Sequence, residues 1–382
     1  MQVPTPMTSR ERFRQAMAHR TPDRVPFDLG GTCLTGMRPE CQARLLEFLG
    51  LKPAGKSGSG VDESILKWAG TDFRFVGDVA NLPSPHTKTL SPTAHVNCWG
   101  TRYDFLDGDW QITGYPLKDA TLDDLKAFPW PEPVVDEKTL AAWTETAKAL
   151  RKQDRHVVVA SHPVYGILEL GCWMCGYDDF LLKFALDPDF VKFFFDKFFE
   201  IQTKVNEQYY AALGPYIDLT ISGDDFGSQN GPLISPAMFE EFISPYFSER
   251  IKQVKTLAGC YYWHHSCGSI FELLDPILAC GVDILNPIQT SAFHMEPERL
   301  KAAYGDRLVF WGAVDVQQFL PLATPAEIPD RIRELLAVLG KDGGYVMAPA
   351  HEIQRDIPPE NLVAWVETVK ASGHDRAASR PG

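Results

Sequence analysis

Short apolar runs alternate with longer helix-like stretches through most of this chain, and this alternation limits the possible folds more than any other feature. From about residue 155 onward, each run of β-branched or aromatic residues is followed by an amphipathic stretch. This pattern is typical of repeated βα units around a parallel sheet. We predict six strands there, at residues 156–160, 216–222, 260–267, 282–287, 308–313 and 344–348. Residues 24–30 are a seventh candidate strand and residues 72–76 an eighth.

The stretches between these strands predict helices, at residues 188–213, 236–257, 268–280, 296–304 and 325–339. Eight βα units in a chain of 382 residues predict a single (β/α)8 TIM barrel that spans residues 1–382. An open, doubly wound sheet is the main alternative, but no G-x-G-x-x-G motif follows the first strand. We therefore expect the closed barrel.

Residues 95–131 do not fit the βα pattern, because they are rich in Gly, Trp, Asp and Pro. We expect this segment to be an insertion that contains a β-hairpin around residues 101–110. Connections between strands commonly carry function while the strands carry the scaffold. The insertion is therefore predicted to cover the mouth of the barrel as a lid.

The composition limits the class of protein and its partners. No stretch approaches the roughly 20 uninterrupted apolar residues of a membrane span, and no basic segment precedes an apolar one near residue 1, so we expect a cytoplasmic protein. The formal net charge of −13, without a basic run, argues against nucleic acid or an anionic membrane as partner. The eight cysteines are irregularly spaced and are expected to be reduced thiols. A small molecule or another protein remains as the partner.

The segment YYWHHSCG, from Tyr261 to Gly268, ends in a His-x-Cys pair. Residues i and i+2 of a strand point to the same face, so His265 and Cys267 can converge on one ion. Imidazole nitrogen and thiolate sulfur suit Zn²⁺, whose catalytic sites leave one position open for substrate. The structural alternative is a buried histidine beside a free core cysteine.

Polar residues gather where the predicted strands end, and barrel active sites lie at the carboxyl ends of the strands. These residues are Asp28, Ser161, His162, Asp224, Asp225, His265, Cys267, Asn286, Gln289, Asp315, His351 and Glu352. His351 follows the last strand and is the candidate third metal ligand; an exposed loop histidine is the alternative. Glu169 and Glu352 are both candidates for a fourth ligand or a general acid.

Two further motifs have a structural alternative. Cys172 and Cys175 form a C-x-x-C that could be redox-active or bind metal, but no second pair lies near it, so we expect helix packing. Asp224 and Asp225 could bind Mg²⁺, which prefers carboxylate oxygens. Adjacent strand residues point to opposite sides, however, so one of the two is expected to face the cavity.

Taken together, several segments resemble the uroporphyrinogen decarboxylase superfamily. They are RERF at 10–13 leading to DRVP at 23–26, DDFGSQNGP at 224–232, HSCG at 265–268, DILNP at 283–287, and GGY at 343–345 through IPPEN at 357–361. The resemblance implies a single (β/α)8 barrel. It also implies one of two activities, since the superfamily contains decarboxylases and zinc-dependent methyltransferases that exchange methyl groups with a corrinoid protein or a thiol.

The resemblance to the methyltransferase branch is the stronger one. Decarboxylases of the superfamily carry an N-terminal Arg-Gln-x-Gly-Arg segment for the substrate carboxylates, where this chain has DLGGT at 28–32. Binding a polycarboxylate requires Arg or Lys donors, which this segment lacks. Thiol-methylating members usually have cysteine as third ligand, where this chain has His351. One thiolate fewer makes zinc a stronger Lewis acid, so we expect an ether or ammonium methyl donor.

The resulting hypothesis is a zinc-dependent O- or N-demethylase that moves a methyl group from a small methylated substrate to cob(I)alamin, a corrinoid supplied by a partner protein. Zinc is held by His265, Cys267 and His351, while Asp225 orients the substrate or supplies a proton. The predicted substrate-binding residues are Tyr165, Asn286, Gln289 and Trp311. The alternatives are a uroporphyrinogen decarboxylase-like lyase and a non-catalytic barrel that binds a corrinoid or small molecule.

Overall fold

The computed structural model describes residues 6–378, which form eleven strands. The strands are β1 (Phe73–Val76), β2 (Lys88–Ser91), β3 (Ala94–Val96), β4 (Arg102–Leu106), β5 (Asp109–Gly114), β6 (Val157–Ser161), β7 (Leu219–Gly223), β8 (Tyr261–His265), β9 (Ile284–Ile288), β10 (Val309–Val314) and β11 (Tyr345–Pro349). Seven of them, β1 and β6 to β11, form one parallel sheet in that order. The other four form an antiparallel sheet.

Helices follow or connect the strands of the parallel sheet. They are α1 (Ser9–Met17), α2 (Pro39–Leu49), α3 (Glu63–Ala69), α4 (Leu122–Ala127), α5 (Glu137–Gln153), α6 (Ile167–Cys175), α7 (Tyr177–Leu186), α8 (Pro188–Leu213), α9 (Pro236–Met238), α10 (Ser244–Ala258), α11 (Leu274–Ala279), α12 (Pro297–Tyr304), α13 (Ile328–Val338) and α14 (Pro359–Ala378). A π-helical turn, Phe239–Ile243, joins α9 to α10. Within residues 6–378, no helix has the length and apolar character needed to span a membrane.

The chain around Phe27 lies between the two edge strands of the parallel sheet. Phe27 forms a parallel bridge with Met347 of β11, and its carbonyl accepts a hydrogen bond of 2.9 Å from the backbone N–H of Asp72, just before β1. The predicted TIM-barrel fold is therefore confirmed. The predicted strand at 24–30 is reduced to this single bridge, because Pro26 has no N–H and the N–H of Phe27 donates to the Asp72 carboxylate instead.

The interior of the barrel is an apolar plug. It is formed by inward-facing strand residues with Phe13 of α1, namely Phe13, Phe73, Phe75, Val157, Val159, Leu219, Ile221, Trp263, Ile284, Val309, Trp311, Val346 and Ala348. Trp263 and Trp311 stack with ring centroids 4.2 Å apart. Because such a plug is a packed core rather than a pore, polar chemistry is restricted to the ends of the barrel.

The antiparallel sheet lies between β1 and β6 in the chain. The hairpin predicted around residues 101–110 is confirmed as β4 and β5, with Phe105 opposite Trp110. The sheet also contains β2 and β3, which the sequence pattern did not predict because both are short, β2 is mostly solvent-exposed and β3 is only partly buried. At the hairpin tip, Asp109 pairs with Arg38, which also contacts Glu352 just after β11. The tip therefore lies at the carboxyl end of the barrel; its action as a lid stays a prediction.

Candidate metal centre

Three side chains converge where β8 and β11 end. One ligand atom from each of His265, Cys267 and His351 lies within 4.8 Å of the others. The Cys267 Sγ and His265 Nε2 atoms are 3.3 Å apart. Tetrahedral zinc with these ligands places its donor atoms roughly 3.5 Å apart, so a small side-chain movement would complete the site. The structure thus brings together the three ligands that the sequence predicts.

The turn after β8 gives Cys267 its position. Gly268 has a φ of +81°, and a Cβ added there would lie 2.5 Å from the carbonyl oxygen of Ser228. Both facts require glycine. The N–H of Gly268 donates to Gln289 Oε1 at 2.9 Å, and the N–H of Ser269 donates to the Ser228 carbonyl at 2.7 Å. The chain therefore turns sharply after the thiol and leaves it at the mouth of the barrel.

Asn286 of β9 fixes the orientation of the His265 ring. Its amide nitrogen donates to the Trp311 carbonyl at 3.1 Å, which leaves its Oδ1 atom, 2.6 Å from His265 Nδ1, as the acceptor. His265 must then carry its proton on Nδ1 and present the Nε2 lone pair to Cys267 and His351. Asn286, predicted from the sequence to contact substrate, uses both ends of its amide within the protein.

The protonation states of the other two ligands follow from their surroundings, with Cys267 half-buried and His351 exposed at the barrel mouth. Desolvation by the neighbouring protein atoms, with the nearby His265, lowers the pKa of His351 to about 4, which leaves its ring neutral at pH 7 with a free lone pair for a metal. Burial, with the neighbouring Asp225, raises the pKa of the Cys267 thiol to about 12. A bound cation favours the thiolate, so metal binding would release that proton.

Asp224 and Asp225 point to opposite sides of the chain, as expected. Asp225 accepts a hydrogen bond of 2.7 Å from the N–H of Cys267, and its Oδ1 lies 3.9 Å from His265 Nε2. Asp224 instead accepts hydrogen bonds from the N–H groups of Ile167, Leu168 and Glu169 at the start of α6. The two carboxylates diverge, so the arrangement does not support the Mg²⁺ alternative. Asp225 is the one beside the metal triad.

The two reserve acids have different surroundings. Glu352 forms an ion pair of 3.1 Å with Arg38. Glu169 lies at the first turn of α6, and burial, followed by the nearby charges of Asp225 and Asp224, raises its pKa well above the usual range of a glutamate. A Cβ added at Gly223 would be 4.0 Å from both Glu169 Oε2 and His265 Cβ. Glu169 therefore lies beside the triad.

The remaining predicted residues lie in different places. A cleft of about 60 Å³ is lined by Cys267, Gln289, Ser291, Asp315, Val316, Gln317, Ala350 and His351. Gln289 is thus in position to contact a ligand. The Tyr165 ring packs edge-on against Trp173, with centroids 5.0 Å apart. Trp311 lies in the plug, where it is fully buried and its Nε1 atom donates to Asp28 at 3.2 Å.

The C-x-x-C motif lies within α6, where Cys172 and Cys175 are both buried among apolar side chains. All eight cysteines are free thiols. Burial raises the pKa of both thiols of the motif, so neither is poised as a thiolate. Helix packing accounts for the motif.

The chain is similar in sequence to proteins of two activities. A uroporphyrinogen decarboxylase of Psychromonas ingrahamii is 29% identical over 144 residues, which are 36% of this chain and 38% of that protein. A methylated-thiol–coenzyme M methyltransferase of Methanosarcina mazei is 25% identical over 143 residues, which are 37% of this chain and 35% of that protein. The alignments thus span little more than a third of these curated relatives.

Comparison of folds and of the family profile extends over much more of the chain. A solved methyltransferase from Methanosarcina mazei superposes with a TM-score of 0.64 at 17% identity, covering 96% of this chain and 99% of that one. At this identity the likeness shows the fold alone. The model of the family described as "Uroporphyrinogen decarboxylase (URO-D)" matches residues 100–372. This match includes the His265–Cys267 motif and His351, and the chain therefore belongs to the uroporphyrinogen decarboxylase (URO-D) family.

Proposed function

We propose that this protein is a zinc-dependent methyltransferase that moves a methyl group from a small O- or N-methylated compound to a corrinoid carried by a separate protein. The observation that carries the proposal is the convergence of His265, Cys267 and His351 within 4.8 Å at the carboxyl end of the barrel. Active sites of such barrels lie at this end. The Methanosarcina mazei methyltransferase with the same fold supports the barrel as a suitable scaffold.

The donor set fits zinc. Two imidazoles and one cysteine sulfur would hold zinc and leave a fourth position for substrate, and the hydrogen bond from His265 to Asn286 is a contact that zinc-binding histidines commonly make. When bound, zinc would supply a Lewis acid for a lone pair of the leaving oxygen, or for the electron pair that a leaving nitrogen gains as its C–N bond breaks. Cys267 and His351, two of the residues that would hold zinc, line the same cleft as Gln289 and Asp315, so a ligand in this cleft would lie beside the metal.

The chain's own residues hold the site in place. Asp225 fixes the turn that carries Cys267 by accepting the N–H of that residue, and its half-exposed carboxylate lies close enough to orient a polar substrate group. Gln289 is held by its bond from the Gly268 N–H. The apolar plug beneath the triad excludes water from one side of the site. These residues position the substrate above a dry floor.

Decarboxylation is the second candidate, favoured by the relative in Psychromonas ingrahamii. The structure gives it little support at the loop after Phe27. Asp28 is fully buried and accepts hydrogen bonds from Gly31, Thr32, Thr35 and Trp311, all within the protein. This loop presents no cation to a polycarboxylate, and such a substrate needs several Arg or Lys donors.

One experiment distinguishes the two candidates. Zinc-loaded protein is mixed with cob(I)alamin and a set of methyl ethers and methylated amines, and the methylcobalamin spectrum is followed. We expect that spectrum with a suitable donor, its loss after chelation, and its return when zinc is added back. Incubation with uroporphyrinogen is expected to give no product; formation of coproporphyrinogen would overturn the proposal.

A further inference from the structure

Three partly open residues stand out in an otherwise buried segment that runs from β6 through α6. Among residues 161–176, only Tyr165, Glu169 and Trp173 are not buried. Glu169 and Trp173 are four residues apart within α6 and lie on the same face of that helix, while Tyr165 precedes the helix and packs its ring against Trp173. We call these three residues the α6 wall. A continuous open face on a helix buried elsewhere indicates a surface kept free for a ligand rather than for packing.

The α6 wall is fixed next to the metal triad. The carboxylate of Asp224 accepts hydrogen bonds of 2.8, 3.2 and 2.9 Å from the first three N–H groups of α6. Gly223 and His265 are direct neighbours in the parallel sheet, and the Glu169 carboxyl reaches within 4.0 Å of a Cβ added at Gly223. A ligand that contacts this wall therefore lies beside His265.

The aromatic rings and the carboxyl group of the α6 wall favour a positively charged ligand. The Tyr165 and Trp173 rings meet edge-on at 5.0 Å, and Glu169 lies one turn from Trp173 on the same face. Aromatic faces and carboxylates both attract cations, and aromatic cages are a common means of binding quaternary ammonium groups.

The two arginines near the α6 wall are either buried or ion-paired. Arg250 is 2% exposed and donates to His162 Nε2 at 3.0 Å and to the Tyr165 carbonyl at 3.3 Å, while its Nη2 atom is buried without a hydrogen-bond partner. Arg38, at the hairpin tip, is paired with Asp109 and Glu352. Neither arginine is both exposed and unpaired, so a negatively charged ligand would meet acidic side chains without an accessible basic partner. A bound cation would instead favour the charged form of Glu169, whose pKa burial raises.

We infer that the methyl donor is a methylated ammonium cation bound against the α6 wall beside the metal triad, an inference that rests on the proposed methyl transfer. Transfer from a quaternary donor balances without a proton. The C–N bond breaks, its electron pair stays on nitrogen, and the nitrogen leaves as a neutral amine. The two electrons of the acceptor's cobalt(I) form the new bond to the methyl group.

The test compares two ligands of nearly the same shape. Binding of choline and of its neutral carbon analogue, 3,3-dimethylbutan-1-ol, to the zinc-loaded protein is measured by calorimetry. We expect choline to bind about tenfold more tightly, because the α6 wall distinguishes charge rather than shape. Trp173→Leu and Glu169→Gln should each remove most of this preference, while Trp173→Phe should retain part of it. Trp68→Leu, a half-buried tryptophan on α3, is the matched control and should change nothing.

The outcomes separate this inference from the proposed function. Equal binding of the two ligands, or an unchanged preference in Trp173→Leu and Glu169→Gln, overturns the ammonium donor. If a neutral methyl ether then yields methylcobalamin in a zinc-dependent reaction, methyl transfer stands and only the donor class is wrong. If no donor of either charge yields methylcobalamin while the choline preference is present, the wall binds cations but the proposed methyl transfer fails.

Discussion

Polar side chains at the two ends of the barrel have different kinds of partner. At the amino end, the buried carboxylate of Asp72 accepts hydrogen bonds from Arg12, Arg24 and the N–H of Phe27. At the carboxyl end, His265, Cys267 and His351 face one another, and the Asp225 carboxylate lies 3.9 Å from His265 Nε2. Charges satisfied within the protein stabilise a fold, whereas ligand atoms that converge on one point suit a bound ion. We therefore expect the amino end to stabilise the fold and the carboxyl end to carry the chemistry.

The largest effect is expected from the metal triad. Cys267→Ser and His265→Ala should each reduce the zinc content from about one per chain to a small fraction, and lower methyl transfer on the order of 10³-fold, because the Lewis acid is lost. The melting temperature should change little, since the site lies above the plug. Metal analysis and thermal unfolding check this. Wild-type zinc in either variant, or in His351→Ala, would remove that residue from the ligand set.

Asp72 should show the opposite behaviour. Asp72→Ala removes the carboxylate shared by the buried Arg12 and the half-buried Arg24 and leaves Arg12 with Asp23 alone, so we expect a loss of about 3 kcal/mol in the free energy of unfolding. Zinc content at low temperature should stay at the wild-type level. Urea denaturation and metal analysis measure the two quantities. Glu145→Ala, at an exposed ion pair with Lys148 within α5, is the control and should leave stability unchanged. A zinc loss in Asp72→Ala would contradict the comparison.

Asn286 of β9 contacts the triad through His265, and its replacement should have an intermediate effect on zinc binding. Asn286→Ala removes the acceptor that holds the His265 proton on Nδ1, so zinc affinity should fall about 10–100-fold while the protein remains folded. Asn286→Asp keeps an acceptor and should lose less. Competition with a chelator of known affinity measures the change. Equal affinity in wild type and Asn286→Ala would show that the ring is oriented by other contacts.

The sequence predicted the barrel well, because strands buried on both faces appear as continuous apolar runs. All five residues of β6, β9 and β11 are buried, and each of these strands lies within two residues of its prediction. The prediction of a strand at 24–30 was wrong except for the single bridge at Phe27, and the sequence pattern did not predict β2 and β3. Short, exposed or proline-interrupted strands lack this apolar signal.

The candidate metal site was also accessible from sequence, whereas its surroundings were not. The i, i+2 spacing of His265 and Cys267 is local, and His351 follows directly from the end of the last strand. The contact between Asn286 and His265 depends on the register of β8 against β9, which no local pattern reveals. The α6 wall could have been noticed as a spacing of four between Tyr165, Glu169 and Trp173, but its exposure depends on the packing of the rest of α6.

The smallest expected effect concerns Arg38, which links the β4–β5 tip to the loop that carries His351. Its side chain is 25% exposed and pairs with Asp109 and Glu352, so Arg38→Ala should cost less than about 1 kcal/mol of stability. If the tip restricts access to the carboxyl end, zinc should pass to an excess of chelator severalfold faster in this variant, with the equilibrium zinc content unchanged.

Arg102→Ala is the matched control for this last prediction. Arg102 lies on the same hairpin but pairs with Asp104 of its own strand, so its removal leaves the tip attached to Arg38. We expect zinc release from Arg102→Ala at the wild-type rate, measured by the absorbance of the chelator complex. Equal release rates in Arg38→Ala and Arg102→Ala would mean that the hairpin does not limit entry, and the lid would have to be abandoned. Faster zinc release in Arg38→Ala alone would show that a movement of the hairpin tip opens the carboxyl end of the barrel. The amino end, where the charged side chains are ion-paired, would make no such movement.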